Sequence, residues 1–187
     1  MVVVVNLLAL RVNSSMVCRP VVTARALLPI SGDMQMTVSV SKIFLSSDHA
    51  GCDLRRAIAD HLTGLGHVIE DLGPAAGESV DYPDYGAKLA RAMQGDPGSR
   101  GVAVCGSGIG ISIAANRFPW IRAALVTDVT AARLCREHND ANVLALGERL
   151  TGIAVALDCV DAFLQTEFEG GRHARRVDKL ASPDDMA

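Results

Sequence analysis

The stretch Gly101-Val-Ala-Val-Cys105-Gly-Ser-Gly-Ile-Gly110-Ile-Ser-Ile-Ala-Ala-Asn116 passes from a β-branched apolar run, through a glycine turn, into a helical segment. The run 101–104 predicts a buried parallel strand and residues 111–116 a helix, which sets Cys105 at the carboxyl end of a strand. Ligands bind at that edge of open α/β sheets. Glycines at 106, 108 and 110 let the backbone turn sharply and approach a bound group closely, and the N–H groups at the helix start attract an anion. Negative charge is favoured there, so Cys105 is a candidate base or nucleophile. The plainer alternative is packing, because cysteine is among the residue types most often buried.

Working outward, short β-rich runs alternate with helical patterns from Lys42 onward, the signature of a parallel sheet covered on both faces. Lys42-Ile-Phe-Leu-Ser46 is the first strand. Residues 52–65 follow as a helix with Leu54, Ile58 and Leu62 on one stripe, ended by Gly64 and Gly66. His67-Val-Ile-Glu70 is a second strand, residues 73–83 a loop and 84–94 a helix. The thiol strand is third, Ile121-Arg-Ala-Ala-Leu-Val126 fourth and Asn142-Val-Leu-Ala-Leu146 fifth. Thr127 or Asp128 caps a helix through Glu137, and Thr151 one through Phe168. The expectation is a Rossmann-like three-layer α/β/α sandwich with a five-stranded parallel sheet. Gly170-Gly171 then opens a basic tail, residues 170–187.

At 187 residues, one domain is expected, spanning 42–187. Residues 1–41 read as an N-terminal extension: disordered, transit-like, or a misassigned start, with Met34 and Met36 as alternative starts. The apolar run at 1–10 is too short to span a bilayer and lacks a basic n-region before it. A cytoplasmic location is therefore expected, with organellar targeting by residues 1–41 as the alternative. The 18 Lys and Arg against 21 Asp and Glu give a net charge of −3, so no global field favours nucleic acid or an acidic membrane. Five cysteines (Cys18, Cys52, Cys105, Cys135, Cys159) without CxxC spacing argue against a disulfide framework or a zinc ribbon. Cys52, Cys135 and Cys159 lie in helical runs, where packing explains them.

Loops after strands one, three, four and five share one sheet edge, so residues distant in sequence meet there. The first carries Asp48, which suits helix capping, and His49, which suits anion binding or proton transfer. His138 is a candidate acid or base at the end of the fourth helix, or an ordinary histidine favoured by the helix dipole. A helix end lies opposite the ligand edge, so His138 should be far from Cys105 in one protomer and reach a site only on a partner subunit. Arg172 and Arg176 are four apart, on one face if helical, and two guanidiniums suit a phosphate.

The blocks Ser47-Asp-His-Ala-Gly51, Asp81-Tyr-Pro-Asp84, Cys105-Gly-Ser-Gly-Ile-Gly-Ile-Ser-Ile-Ala-Ala-Asn116, His138-Asn-Asp-Ala-Asn142 and Glu169-Gly-Gly-Arg-His173 resemble, in the same order, those of the B-type ribose-5-phosphate isomerases. That family also includes galactose-6-phosphate and allose-6-phosphate isomerases. The resemblance covers Lys42 to about Leu180. It implies an aldose–ketose isomerase of the pentose phosphate pathway, in which Cys105 moves a proton between C1 and C2 of the open-chain sugar through an enediolate. No metal or other cofactor is implied. Ser107 and the N–H groups of Gly106, Ser107, Gly108, Ile109 and Gly110 would stabilise the oxyanion. His138 would help open the furanose ring, Asp48, His49 and Asn139 would contact the substrate, and Arg149, Arg172 and Arg176 would complete anion binding. The family builds its site between two subunits of a homodimer, with tetramers an open possibility. One subgroup replaces the cysteine with a glutamate six residues later, where this chain has Ile111.

Two other classes compete with this reading. A non-catalytic sugar-phosphate sensor would lack Cys105 or His138, and both are present. A cysteine hydrolase would need a covalent intermediate, and a dehydrogenase an acidic residue about twenty positions after its glycine fingerprint.

Overall fold

The computed structural model describes residues 42–75 and 77–181. The expected extension, residues 1–41, lies outside the described residues, as do residues 182–187 of the basic tail. Five strands form one all-parallel sheet: β1 (Ile43–Ser47), β2 (Ile69–Asp71), β3 (Arg100–Cys105), β4 (Ala123–Leu125) and β5 (Val143–Gly147), in the order β2-β1-β3-β5-β4. Each strand is followed by a helix, as the sequence pattern predicts: α1 (Cys52–Gly64), α2 (Tyr82–Gln94), α3 (Ile109–Ala115), α4 (Val129–Asn139) and α5 (Ile153–Gln165). A last helix, α6 (Ala174–Ala181), forms the tail.

Alternation along the strands divides the core between two faces. On one, Val102 and Val104 of β3 and Leu144 and Leu146 of β5 pack with α1, α4 and α5 through Leu54, Ile58, Ala132, Cys159 and Phe163. On the other, Ala103 and Cys105 of β3 and Val143 and Ala145 of β5 meet Leu89 and Met93 of α2 and Ile111 of α3. Burying each large side chain contributes about 1.5–3 kcal/mol, so the two layers together fix the sheet between its helices. The second face uses small strand residues because α2 lies close: a Cβ on Gly101 would sit 2.8 Å from Met93 Sδ. Cys105 therefore points from the core's second face into the turn above it.

The chain runs outward from β1 to β2 and then crosses to β3 on the other side of β1. The strand order reverses between β1 and β3, which opens a crevice at their carboxyl ends.

Element boundaries depart from expectation where a local donor or acceptor intervenes. The fourth strand shrinks to Ala123–Leu125 because the Ile121 N–H bonds the Phe118 carbonyl (2.9 Å) and the Arg122 N–H bonds Asn142 Oδ1 (2.8 Å). The second strand begins at Ile69, since the His67 N–H closes the end of α1 on the Leu62 carbonyl (3.0 Å). The α2 helix starts earlier than residue 84, with Pro83 in a first turn that needs no N–H from it. Gly152 occupies the N-cap expected of Thr151, and α5 ends at Gln165 where Thr166 turns extended and its hydroxyl bonds the Ala162 carbonyl (2.6 Å). Asp128, not Thr127, caps α4 by accepting from the Ala131 N–H (2.9 Å). Among the described residues no helix is long and apolar enough to cross a membrane.

Candidate active site

The turn after β3 is built by close approach. Gly108 adopts φ +76°, and a Cβ there would lie 2.5 Å from Leu125 Cδ1 and 2.8 Å from the Leu146 carbonyl carbon, so only glycine fits. That conformation starts α3 at Ile109, two residues before the expected position. It also aims the Gly108 N–H at Cys105 Sγ, 3.0 Å away, which fixes the sulfur under the turn. The Ile109 N–H bonds Ser107 Oγ at 3.3 Å. Two of the five loop N–H groups expected to hold an oxyanion are thus committed to side chains of the loop itself. Gly106, Ser107 and Gly110 are the loop residues that line the cavity above.

That cavity, 340 Å³, occupies the β1/β3 crevice. It gathers Asp48, His49, Cys105, Gly106, Ser107, Gly110 and Arg149, all of them expected site residues, together with Ala50, Tyr82 and Leu150. Gly108 is buried beneath it, and Ile109, 49 % exposed, is not among its lining residues.

Asp48 is only 6 % exposed, its N–H bonding the Val104 carbonyl (3.2 Å) and its Oδ1 accepting from the Ala50 N–H (2.9 Å). It caps the short 3-10 turn His49–Gly51 that leads into α1, so the expected capping role holds one turn earlier. His49 is exposed and docks its Nδ1 against Val80 of the β2–α2 loop, 2.9 Å from the carbonyl oxygen. Arg149 stands over Gly106, where a Cβ would come within 3.4 Å of the guanidinium carbon, and its N–H bonds the Gly106 carbonyl (3.0 Å). An aspartate, a histidine and an arginine therefore converge around one thiol.

Cys135 and Cys159 do not line this cavity. Burial pushes the Cys135 thiol up to about 11 and also raises that of Cys159. Neither supplies a thiolate near neutral pH.

Tyr82 escaped the sequence analysis as a site residue. Its ring lies so close to Gly110 that a Cβ there would be 2.7 Å from Cε2. The available signal was Gly110 itself, a third loop glycine whose missing side chain marks a close neighbour.

His138, Asn139, Arg172 and Arg176 do not line the Cys105 cavity. They sit at the end of α4 and in the tail. His138 stacks on His173, ring centroids 4.4 Å apart and planes 3° from parallel, and Glu169 Oε2 lies 4.0 Å from His138 Nε2 and 3.7 Å from His173 Nε2. His173 is 6 % exposed; desolvation, then the neighbouring His138 and Arg172, pull its pKa below the ordinary value. His138, Glu169 and His173 have the donor types of a transition-metal site, with ligand atoms within 4.8 Å of one another. Parallel rings do not converge on one ion, however, and Arg172 Nε already donates to His173 Nε2 (3.2 Å). Arg172 lies in the 3-10 turn Gly171–His173 and α6 begins only at Ala174, so Arg172 and Arg176 do not share one helix face as expected.

Beneath His138, a buried charge network fixes the end of α4. Arg136, 2 % exposed, donates to Asp140 Oδ1 (2.7 Å), the Ala141 carbonyl (2.6 Å) and the Thr166 carbonyl (3.2 Å), while Asp140 Oδ2 accepts from Arg122 (2.6 Å). Volume alone would misplace the site. A roomier cavity, 480 Å³, lies by Met93, Trp120, Arg122 and Asn142 at the amino ends of the strands, away from the thiol.

The chain is similar to known proteins over nearly all of its described residues. Residues 43–180 match the Ribose/Galactose Isomerase family. The chain is 45 % identical over 139 residues to a probable ribose-5-phosphate isomerase B of Mycoplasma pneumoniae, covering 74 % of this chain and 91 % of the relative. With ribose-5-phosphate isomerase B of Escherichia coli the identity is 42 % over 143 residues, covering 76 % and 96 %. The solved structure of Clostridium thermocellum ribose-5-phosphate isomerase B superposes with a TM-score of 0.74 at 53 % identity, over 76 % of this chain and 97 % of the other. That of the Mycoplasma genitalium enzyme with bound ribulose-5-phosphate gives 0.74 at 37 % identity, over 78 % and 97 %.

Proposed function

Since the chain belongs to the ribose/galactose isomerase family, we propose that it interconverts ribose 5-phosphate and ribulose 5-phosphate with Cys105 as the base. The observation that carries this reading is Cys105 Sγ held by the Gly108 N–H beneath a cavity lined by Asp48, His49, Ser107 and Arg149. As a thiolate, Cys105 removes the proton from C2 of the open-chain aldose, and the electron pair moves through C1 onto the carbonyl oxygen. The resulting enediolate is met by Ser107 and the N–H groups of Gly106, Ser107 and Gly110, donors already in place before charge develops. Transfer of the hydroxyl proton from O2 to O1 leaves the charge on O2, and as its electron pair forms the C2 carbonyl, Cys105 returns its proton to C1 to complete the ketose. Arg149 and His49 face the phosphate, and Asp48 the sugar hydroxyls.

His138, Asn139, Arg172 and Arg176 enter this scheme from a second copy of the chain, in a homodimer with shared sites. Support comes from exposed apolar side chains flanking the cavity: Ile109, Ile113, Leu125, Leu150 and Ile153, between 39 % and 61 % exposed. Apolar patches of this kind mark protein contacts. Across such a contact His138 donates the proton that opens the furanose ring, and the two tail arginines bind the phosphate.

Incubating the protein with ribose 5-phosphate and following ribulose 5-phosphate by absorbance tests the activity. Turnover without added metal or nicotinamide cofactor is expected; no turnover on ribose, allose or galactose phosphates would favour a sugar-phosphate sensor. Sedimentation tests the dimer.

A further inference from the structure

We propose that Glu148 is a positioning residue of this site, tying the start of α1 to the thiol loop so that Asp48 and His49 stay in register with Cys105. The proposal rests on the isomerase reading for its kinetic consequence and on geometry for the tie itself. Glu148 directly follows β5. Its N–H donates to the Cys105 carbonyl at 3.0 Å, and its Oε2 accepts from the Leu54 N–H at 2.9 Å. One residue thus bonds both sides of the crevice.

The need for it arises from packing at Gly51. An α-helix starts with N–H groups that lack intrahelical partners, and the N-cap side chain usually accepts from one of them. At α1 the N-cap is Gly51, which has no side chain to do so. No larger residue fits, because a Cβ there would lie 2.7 Å from the Val104 carbonyl carbon and oxygen. The close approach that sets the β1–α1 loop against β3 therefore removes the local cap. Glu148, 94 residues beyond Leu54 in sequence, supplies a carboxylate in its place. Negative charge at that position is also favoured by the helix dipole.

Asp48 and His49 lie in and just before the 3-10 turn that α1 continues, so anchoring α1 anchors them. Glu148 also lines a second cavity, 360 Å³, that shares His49 with the catalytic one. Glu148 is not itself among the residues lining the catalytic cavity, so its influence on turnover passes through the lining residues it holds.

Steady-state kinetics of Glu148→Ala and Glu148→Gln test the proposal. The alanine variant should raise KM for ribose 5-phosphate about five-fold, the scale of a lost cap, with kcat within about two-fold. The glutamine variant keeps an oxygen acceptor and should bring KM back to within about two-fold of the parent. Unchanged KM in Glu148→Ala with a lowered melting temperature would mean a cap that only stabilises the fold, and would overturn the proposal. So would equal KM values for the two variants. Amide hydrogen exchange reads the tie without substrate: residues 49–54 and 105–108 should both exchange faster in Glu148→Ala than in Glu148→Gln. Exchange confined to 49–54 would show that the two loops are not joined through Glu148. If the parent protein failed to turn over ribose 5-phosphate, the isomerase reading would fall while the exchange result still decided the tie.

Discussion

The cavity over Cys105 and the stacked histidine pair at the end of α4 both carry residues of the proposed chemistry, yet they are assembled differently. The first is complete in its covalent framework: three strand ends deliver Asp48, Cys105 and Arg149 to one crevice, and glycine contacts set the spacing. The second, with His138, His173, Arg172 and Arg176, gathers at a helix terminus and a tail that bring none of these side chains to the thiol. A parallel sheet focuses only the loops that leave the carboxyl ends of its strands. In the proposed dimer, the groups at this helix end reach the same point from a second copy of the chain.

The largest expected effect comes from the thiol end. Cys105→Ala should lower kcat by about 10²–10⁴-fold, the usual contribution of a positioned base, while substrate still binds. Calorimetric titration with ribose 5-phosphate checks the binding, and an active alanine variant would remove Cys105 from the mechanism.

Mixing tests whether the two regions meet across subunits. Cys105→Ala and His138→Ala should each be nearly inactive alone. After denaturation and co-refolding of equal amounts, about a quarter of parental activity should return, because half of random dimers are mixed and each mixed dimer has one intact site. No recovery would place both groups in one protomer's site, contrary to the geometry.

The charge network beneath His138 supplies a stability contrast. Arg136→Ala should cost about 2–5 kcal/mol, the usual result of truncating a large buried side chain, here with the Ala141 and Thr166 carbonyls also losing their donor, measured as a lower urea midpoint. By comparison Arg133→Ala, whose partner Glu137 is 3.9 Å away at the surface, should cost no more than about 1 kcal/mol.

The smallest effect concerns pH. Because burial lowers the pKa of His173 in the folded state, the unfolded chain takes up that proton more readily as acid is added. Stability should therefore fall as pH drops through the ordinary histidine value, near about 6.5, toward the lower folded value. The urea midpoint of His173→Gln should decline less over the same range, and an identical decline would assign the slope to other groups.

Much of this architecture was legible in the chain. Alternating apolar runs gave five strand-helix units in order, and the glycines around Cys105 located the ligand edge. Boundaries moved where a side chain or carbonyl competed with the pattern, as Asn142 did for the Arg122 N–H. Tyr82 and Glu148 were missed because each acts on a distant residue, Gly110 and Leu54 respectively. The placement of the arginines also shifted, since spacing by four presumes one continuous helix and the chain breaks into two segments at His173.

Periodicity and turn chemistry are local: each depends on neighbours a few residues away, so the primary structure specified the α/β class, the thiol turn and the family blocks. Strand order and layer spacing are not local. They decided that Cys105, Asp48 and Arg149 share one crevice, that His138 lies outside it, and that a glutamate after the last strand caps the first helix. Contacts across dozens of residues form only once the two core faces have packed, because that packing sets which strand ends stand side by side.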